Sequence, residues 1–161
     1  MRGIGSKDAR AKGRKGLASL SSAKKKPFLA DGGLLRHRGF KVADTAEPFF
    51  QLLYLPFEEN APVPSFLPQA KQGMIDEKGI LLYLTHQCRF ANTYSGKIAE
   101  VAAKHGGPMT LHHIQSAEDA RKAPAVWTTY SLFLDGKFVT NEILSVSKFE
   151  KMMYTAFSGL E

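Results

Sequence analysis

The sequence predicts an α/β fold in two parts. Short apolar runs bounded by glycine alternate with segments whose apolar residues recur at helical spacing, which is the pattern of an α/β chain. A proline-rich segment, residues 58–78, separates a basic N-terminal part from a nearly neutral C-terminal part, and Pro62, Pro64 and Pro68 predict a linker without regular structure. The 161 residues, 43% of them apolar, are enough for one domain or two small ones.

The N-terminal part, residues 1–57, is predicted to contain a strand, a helix and two further strands. The run "GLASLSS" (Gly16–Ser22) predicts the first strand. The run "PFLADGGLLRHRGF" predicts an irregular helix with Leu34 and Leu35 on its apolar side and Gly39 at its end. The runs "FKVADTA" and "FFQLLYLPF" predict the last two strands, of which the second is apolar enough to be largely buried.

The C-terminal part, residues 79–161, opens with a clearer pattern. The apolar run "GILLYLT", bounded by Gly79, predicts a buried strand. The run "ANTYSGKIAEVAAKHGG" predicts a helix that ends in glycines, with Asn92 or Thr93 as its N-cap. The alternating run "PMTLHHIQ" predicts a second strand.

The rest of the C-terminal part predicts a short helix, a hairpin and a last helix. The run "SAEDARKA" begins with a Ser-x-x-Asp cap pattern. The run "TTYSLFLDGKFVTNEIL" predicts two strands joined by an Asp-Gly turn. The run "SVSKFEKMMYTAFSGL" predicts a helix capped by Ser145 or Ser147. The resulting order, βαβαββα, is that of a thioredoxin-like domain.

The stretch "LTHQCRFAN" contains Cys88, the single cysteine of the chain. A thioredoxin-like domain places a cysteine at a helix N-terminus, where the helix dipole stabilises the thiolate, and Arg89 adds positive charge. Because Ala91 stands where a second cysteine would be, dithiol exchange is not expected, and Thr128 stands where a proline would face the cysteine. Cys88 is therefore either a thiol that forms mixed disulfides or a partly buried small hydrophobe.

The histidines predict no metal site. His86 and Cys88 have the spacing of two metal ligands, but no second pair accompanies them in the sequence. His112 and His113 are adjacent on a predicted strand, so their side chains are expected on opposite faces and not in a joint site.

The net charge of +7 is concentrated at the N-terminus. Residues 1–26 hold nine basic side chains against Asp8 alone, a net of +8. Such a segment suits nucleic acid, a membrane surface or a phosphorylated cofactor, or is a solvated basic tail. Nucleic acid is disfavoured, because no aromatic residue precedes Phe28.

A single cysteine fits a reducing compartment and excludes an internal disulfide framework. No apolar run approaches the roughly 20 residues that span a bilayer, and no hydrophobic signal core follows the basic N-terminus. The sequence therefore predicts a cytoplasmic protein without a membrane partner.

Three segments together resemble a known family. The runs "TTYSLFLDGKFVTNEILSVSKFEKMM", "THQCRFANTY" and "VADTAEPFFQLLYLPFEENAPVPSF" resemble the YoaP-type C-terminal region of certain acetyltransferase-like proteins, and the resemblance extends over essentially the whole chain. In that family a thioredoxin-like domain follows an N-acetyltransferase domain of the GNAT superfamily. The resemblance implies acetyl transfer from acetyl-CoA to an amine and leaves the acceptor unidentified.

Residues 1–57 resemble the C-terminal half of a GNAT domain, with 58–78 as linker and 79–161 as the thioredoxin-like domain. The run "RGIGS" resembles the glycine-rich turn that receives the pyrophosphate, which assigns acetyl-CoA binding to Arg2, Gly3, Gly5, Ser6 and Lys7. The earlier GNAT strands do not precede this turn, so the resemblance is to a domain truncated at its N-terminus, either an acyltransferase or an inactive fragment.

Two alternatives to acetyl transfer stay open. In the first alternative the chain is a non-catalytic thioredoxin-like module that dimerises or pairs with a missing acetyltransferase half. Absent strands would leave sheet edges exposed, and an exposed edge can pair with another chain. The other alternative is a monothiol redox protein that uses Cys88.

Overall fold

The structure is a computed structural model that describes residues 4–105 and 107–157, and the chain divides into two compact units between Gln72 and Gly73. The division lies inside the predicted linker, while the predicted domain limits themselves stay a prediction. In the described ranges the fold is α/β, as the sequence predicted.

The first unit contains three strands and three helices. Its elements are α1 (Ile4–Ala11), β1 (Gly16–Ser22), α2 (Gly32–His37), β2 (Lys41–Ala46), β3 (Phe50–Pro56) and α3 (Pro68–Lys71). The strands form an antiparallel sheet in the order β1-β3-β2. The three strands predicted from "GLASLSS", "FKVADTA" and "FFQLLYLPF" are confirmed.

Strand β3 is central in this sheet and supplies most of its core. Phe50 and Leu53 are almost completely buried, as the apolar run predicted. Tyr54, 8% exposed, lies across the start of β1, where its hydroxyl donates to the carbonyl oxygen of Lys15 at 3.3 Å. A Cβ atom at Gly16 would lie 2.4 Å from the Tyr54 ring, so this strand begins with a residue that has no side chain.

The helix predicted over residues 27–40 is shorter than expected. Helix α2 begins after Asp31, whose carboxylate accepts hydrogen bonds from the backbone N–H groups of Gly33 and Leu34, as a good N-cap does. It is followed by Gly39 with φ of +91°, a left-handed residue at the predicted end. The segment before Asp31 is turn, because no apolar residue recurs there at helical spacing.

The predicted linker contains a regular element, so the expectation that prolines exclude one is wrong. Helix α3 begins at Pro68, which occupies the first turn, where its missing N–H costs no hydrogen bond. Asp44 of β2 holds this segment against the sheet, because its carboxylate accepts hydrogen bonds from the Phe66 N–H and from the ammonium of Lys71. The bond to Lys71 and the N–H donors lower the pKa of Asp44 below its usual value.

The second unit has the predicted order βαβαββα. Its elements are β4 (Ile80–Thr85), α4 (Arg89–His105), β5 (Met109–Ile114), α5 (Ala117–Lys122), β6 (Tyr130–Leu134), β7 (Lys137–Thr140) and α6 (Val146–Phe157). The sheet order is β5-β4-β6-β7, with β4 parallel to β5 and the other pairs antiparallel. The core lies between this sheet and helices α4 and α6, where Leu82, Ile98, Tyr130 and Phe149 are fully buried.

The Asp-Gly hairpin is confirmed. Asp135 and Gly136 both have positive φ, 48° and 84°, as a two-residue turn of this kind requires. A Cβ atom at Gly136 would lie 2.3 Å from the carbonyl oxygen of Ile75, so the turn is closely packed as well. Asp135 also accepts from the Gly79 N–H, which joins the hairpin to the start of β4.

The caps of the two later helices are confirmed. Ser116 and Asp119 form a reciprocal capping box at the start of α5. At α6 the hydroxyl of Ser145, one of the two predicted caps, accepts from the Lys148 N–H at 3.4 Å. None of the helices in the described ranges has the length and apolar character needed to cross a bilayer.

Candidate functional site

The carboxyl ends of two parallel strands position the polar residues of the second unit. Strands β4 and β5 run side by side, with Leu84 beside His113 and Thr85 beside Ile114. Because the ends of parallel strands meet at one edge of a sheet, the turn after β4 and the connection after β5 lie next to each other. In open α/β sheets this edge is where ligands bind.

Cys88 lies at the end of the turn after β4, directly before helix α4. It is partly exposed and packs against the core of the unit. Its carbonyl oxygen accepts from the backbone N–H of Asn92 at 3.3 Å, the first bond of the helix. The thiol is therefore beside unpaired N–H groups at a helix N-terminus, with Arg89 next in the chain, while Ala91 at the second-cysteine position is buried.

The predicted cap of α4 is wrong. Asn92 and Thr93 both lie inside the helix, which begins at Arg89. Their side chains bond backwards instead: the Asn92 amide donates to the carbonyl oxygen of Cys88 at 3.1 Å, and the Thr93 hydroxyl to that of Arg89 at 3.0 Å. Inside a helix the side chains of such residues can bond to carbonyl oxygens of the preceding turn, although they are more favourable at a cap.

The two adjacent histidines of β5 lie on opposite faces, as expected. His112 stacks on Tyr83 with ring centroids 4.4 Å apart. His113 stacks on His86 with centroids 4.9 Å apart and planes 11° apart. The second stack was missed by sequence reasoning, because His86 belongs to a turn that is distant from His113 along the chain. Only the parallel pairing of β4 with β5 could have indicated it.

Tyr83 has Glu77 and His112 as neighbours, and of these it forms a hydrogen bond with Glu77. The Glu77 carboxylate lies 3.4 Å from the Tyr83 hydroxyl and 3.4 Å from Nε2 of His112. Burial, with the Glu77 charge next in size, raises the pKa of Tyr83 to about 12. The Tyr83 hydroxyl is therefore neutral at ordinary pH and donates a hydrogen bond to the Glu77 carboxylate.

The turn after β4 and the connection after β5 together border a cleft of about 770 Å³. Its polar lining residues are Thr85, His86, Gln87, Gln115, Ser116 and Thr128. Thr128, identified in sequence as the position that faces the cysteine, thus borders the same cleft as the turn, whereas Cys88 is outside its lining.

Thr85 is the most buried polar residue of this lining. It is 6% exposed, and its backbone N–H donates to the carbonyl oxygen of Thr129 at 3.3 Å. Its hydroxyl has no hydrogen-bond partner among the residues that the structure describes. Buried hydroxyl groups are generally paired, so this one, which has almost no accessible surface, is expected to reduce the stability of the fold.

In the first unit, three of the predicted acetyl-CoA residues lie together on α1. Gly5, Ser6 and Lys7 are in the first turn of this helix, and that turn contains no acidic residue. Lys7 is exposed and Ser6 half-buried. Arg2 and Gly3 lie outside the described residues.

The basic segment is not a loose tail in the described range. Several of its cations contact other residues of the first unit: Arg10 lies over the Phe57 ring at 4.1 Å, Lys15 pairs with Glu58 at 2.8 Å, and Lys26 lies over the Phe49 ring at 4.5 Å. Lys7, by contrast, is exposed in the first turn of α1.

The described residues contain no cluster of three or more histidine, cysteine or acidic side chains that could hold a metal ion. His86 and His113 form a pair without a third ligand among them.

Fold and site together define an α/β chain of two compact units, the second with a thiol at a helix start and a polar cleft beside it. Residues 108–151 match the YoaP-like family model. The chain is also 43% identical over 148 residues, 92% of its length, to "Uncharacterized N-acetyltransferase YoaP" of Bacillus subtilis (strain 168). The chain is thus related to the YoaP-like proteins, as the resemblance predicted, and spans 59% of the length of that relative.

Proposed function

We propose that this chain takes part in N-acetyl transfer, with residues 1–57 contributing acetyl-CoA-binding groups of a GNAT-type domain and 79–161 forming a thioredoxin-like accessory domain. The observation that carries the proposal is the 43% identity, along nearly the whole chain, to a relative named as an N-acetyltransferase. The acceptor would be an amine.

The element order of the first unit supports the proposal. Helix α1 begins at Ile4, within "RGIGS" and not after it, and is followed by a strand, a helix and two strands, which is the order that the resemblance to a GNAT domain implied. The order βαβαββα and the parallel pair β4–β5 support the thioredoxin-like assignment of the second unit.

The start of α1 has the chemistry that a pyrophosphate requires. The first backbone N–H groups of a helix have no partner within it and favour an anion. Gly5 adds no side chain, and Lys7 brings a positive charge to a turn that holds no carboxylate. Acetyl-CoA would be held here by Arg2, Gly3, Gly5, Ser6 and Lys7, and it would supply the acetyl group.

Calorimetry with two ligands tests this assignment. Acetyl-CoA carries the pyrophosphate and acetyl-pantetheine does not, so binding of the first and much weaker binding of the second are expected. Lys7→Ala should weaken acetyl-CoA binding about tenfold, because a charge-assisted hydrogen bond contributes about 1.5–3 kcal/mol. Lys12→Ala is the matched control, since Lys12 lies just past the same helix and pairs with Asp8 at 2.9 Å. No heat with acetyl-CoA at high micromolar concentration would remove the cofactor from the proposal.

A second candidate function is supported by the position of Cys88. Its partly exposed thiol at the start of a 17-residue helix suits a monothiol that attacks a small disulfide. With glutathione disulfide, the Cys88 thiolate would form a mixed disulfide and release one glutathione thiolate. Mass spectrometry of the native chain detects this adduct, with Cys88→Ser as control. If the glutathione adduct forms only after the protein is unfolded, Cys88 is a buried core residue and the monothiol function is excluded.

A further inference from the structure

We infer that the turn after β1, together with the residues beside it, is a binding surface for single-stranded nucleic acid. This lysine–phenylalanine surface belongs to the first unit and consists of Lys24, Lys25, Lys26, Phe28, Arg36 and Phe49. Such binding goes beyond the proposed acetyl transfer and does not depend on acetyl-CoA at α1.

The first unit carries the whole net charge of the chain. Residues 1–72 contain thirteen lysines and arginines and six acidic residues, whereas residues 73–161 contain nine of each. A net charge of +7 on the smaller unit attracts a polyanion, whose condensed counterions are released when it binds. A polyanionic partner is therefore expected to bind the first unit and not the second.

Two buried serines hold the backbone of the lysine turn. Ser21 and Ser22 are 1% and 4% exposed at the end of β1. The Ser21 hydroxyl donates to the carbonyl oxygen of Ala30 at 2.8 Å, and the Ser22 hydroxyl donates to that of Lys24. Because the strand itself fixes this backbone, an anion that binds the three lysines does not have to order a flexible tail.

Arg36 of α2 adds a fourth cation beside the end of β1. A Cβ atom at Gly32 would lie 2.8 Å from Ser21 Oγ and 3.2 Å from Arg36 Nη1, so the guanidinium lies beside the strand end where the lysine turn begins. Among the described residues, Asp31 is the only carboxylate within ion-pair distance of the four cations, and it pairs with Lys25 at 3.2 Å. The other three cations have no such partner in that set, so their charge attracts an anion.

Two phenylalanines lie among these cations. The ring centroids of Phe28 and Phe49 are 6.5 Å apart, although the two residues are distant in sequence. Lys26 Nζ lies 4.5 Å from the Phe49 ring centroid, and Phe28 is 39% exposed. The sequence disfavoured nucleic acid because no aromatic residue precedes Phe28. The fold removes that reason, since it brings an aromatic pair to the end of the basic segment.

Cations beside an exposed aromatic ring match a single strand better than other polyanions. A single strand presents phosphates together with unpaired bases, and these bases stack on aromatic side chains. In a duplex the bases are stacked on each other, and a phosphorylated protein segment has no bases. The phenylalanines therefore select the single strand, and the four cations contact its phosphates.

Fluorescence anisotropy of a labelled single strand of about 12 nucleotides tests the surface on the full chain. We expect saturable binding at about 50 mM salt and a slope of log affinity against log salt of about −3, because four phosphate contacts contribute about −0.7 each. A duplex of the same length should bind more weakly. No saturable binding of the single strand, or a duplex bound at least as tightly, would overturn the inference.

A pair of charge variants shows whether the lysine turn contacts the phosphates. Lys24→Gln combined with Lys25→Gln should make the salt slope less steep by about 1.4, the contribution of two phosphate contacts. Lys12→Gln combined with Lys15→Gln removes the same charge at the other end of β1 and should leave the slope unchanged. An equal change in both variants would mean attraction by net charge alone and would contradict a defined surface.

Phe28→Leu isolates the stacking contribution. Leucine preserves an apolar side chain and removes the flat ring, so the single strand should bind about fivefold more weakly, the lower end for one stacked base, while duplex binding stays unchanged. Phe57→Leu is the matched control, because Arg10 lies 4.1 Å over its ring but Phe57 follows β3 at the opposite end of the sheet. Unchanged affinity in Phe28→Leu would contradict the inference.

Acetyl-CoA distinguishes this surface from a nucleotide site, because it also carries a base and phosphates. Excess acetyl-CoA should leave the labelled strand bound. Complete displacement would assign the surface to acetyl-CoA and overturn the inference, whereas calorimetry on the same samples reports acetyl-CoA binding independently.

Discussion

The imidazole rings of His86 and His113 stack with their centroids 4.9 Å apart and their planes 11° apart. The contact joins the turn after β4 to the end of β5. It therefore holds together two of the segments that border the cleft, and it does so with two exposed side chains.

A double-mutant cycle measures this contact. Aromatic pairs contribute about 0.5–1.5 kcal/mol beyond their buried area, and exposure places this pair at the lower end, so His86→Ala and His113→Ala should show a coupling energy of about 0.5 kcal/mol. Urea unfolding of the single and double variants gives the value. The pair His86 and His105 serves as control, and a coupling of equal size there would refute a specific contact.

Replacing Thr85 with valine should stabilise the ligand-free protein. A buried hydroxyl without a partner costs about 1–3 kcal/mol, and valine has the same shape without that group. We expect the free energy of unfolding to rise by about 1 kcal/mol in urea titrations. Thr93→Val is the control, because the Thr93 hydroxyl donates to the Arg89 carbonyl at 3.0 Å, and no gain is expected there. A loss at position 85 would mean that its hydroxyl is already hydrogen-bonded in solution.

Asp44 should make the stability of the chain depend on acid pH. Its pKa is lowered in the folded state by the Lys71 hydrogen bond and by the N–H groups of Phe66 and Thr45. A carboxyl group whose pKa is lower in the folded than in the unfolded state increases the free energy of unfolding. This contribution is present at pH values above the unfolded-state pKa of 3.8 and is lost as the pH falls from there through the folded-state pKa. Asp44→Asn should thus destabilise the protein at pH 7, and the difference from the wild type should shrink toward pH 3.

Urea unfolding at both pH values gives this difference. The exposed Asp76, replaced by asparagine, is the matched control and should cause little change at either pH. An Asp44→Asn difference of equal size at pH 7 and pH 3 would show that the carboxylate charge is not what fastens α3.

Two glycines should respond in opposite directions to alanine. Gly136→Ala puts a side chain at φ of +84° and beside the Ile75 carbonyl oxygen, so it should cost at least about 1–2 kcal/mol, the penalty of the left-handed backbone alone. Gly96→Ala, inside α4 with nothing within 4 Å of the new methyl group, should gain up to about 1 kcal/mol from helix propensity. Thermal unfolding of both variants checks the pair, and destabilisation by Gly96→Ala would show a contact that the structure lacks.

Local signals predicted the elements well. The strand Gly16–Ser22, the Asp135-Gly136 turn and the Ser116 cap each depend on neighbours a few residues away, and each is confirmed. The start of α4 was predicted wrongly because asparagine is a common N-cap residue. Here Asn92 lies inside the helix, and its side-chain amide donates to the carbonyl oxygen of Cys88 in the preceding turn. The short helix at Pro68 was missed because proline excludes a helix interior, not a first turn.

The cleft could not be predicted from local patterns. Thr85, Gln115 and Thr128 come from three separate stretches and meet only because β4 pairs with β5 on one side and with β6 on the other, each in one particular register. Sequence periodicity gives the faces of a strand but not its neighbour or its register. Cys88 was visible in the sequence as the single cysteine, whereas the unpaired hydroxyl of Thr85 required the positions of all its neighbours.

The close approach of Tyr54 to Gly16 has a consequence for the history of this sequence. The Tyr54 ring fits here because position 16 has no side chain, and it occupies the space that a side chain at position 16 would need. In related proteins the two positions should therefore change together: a larger residue at the first is expected only where a smaller one replaces the tyrosine. Substitution patterns across such sequences would then record this contact without any structure being solved.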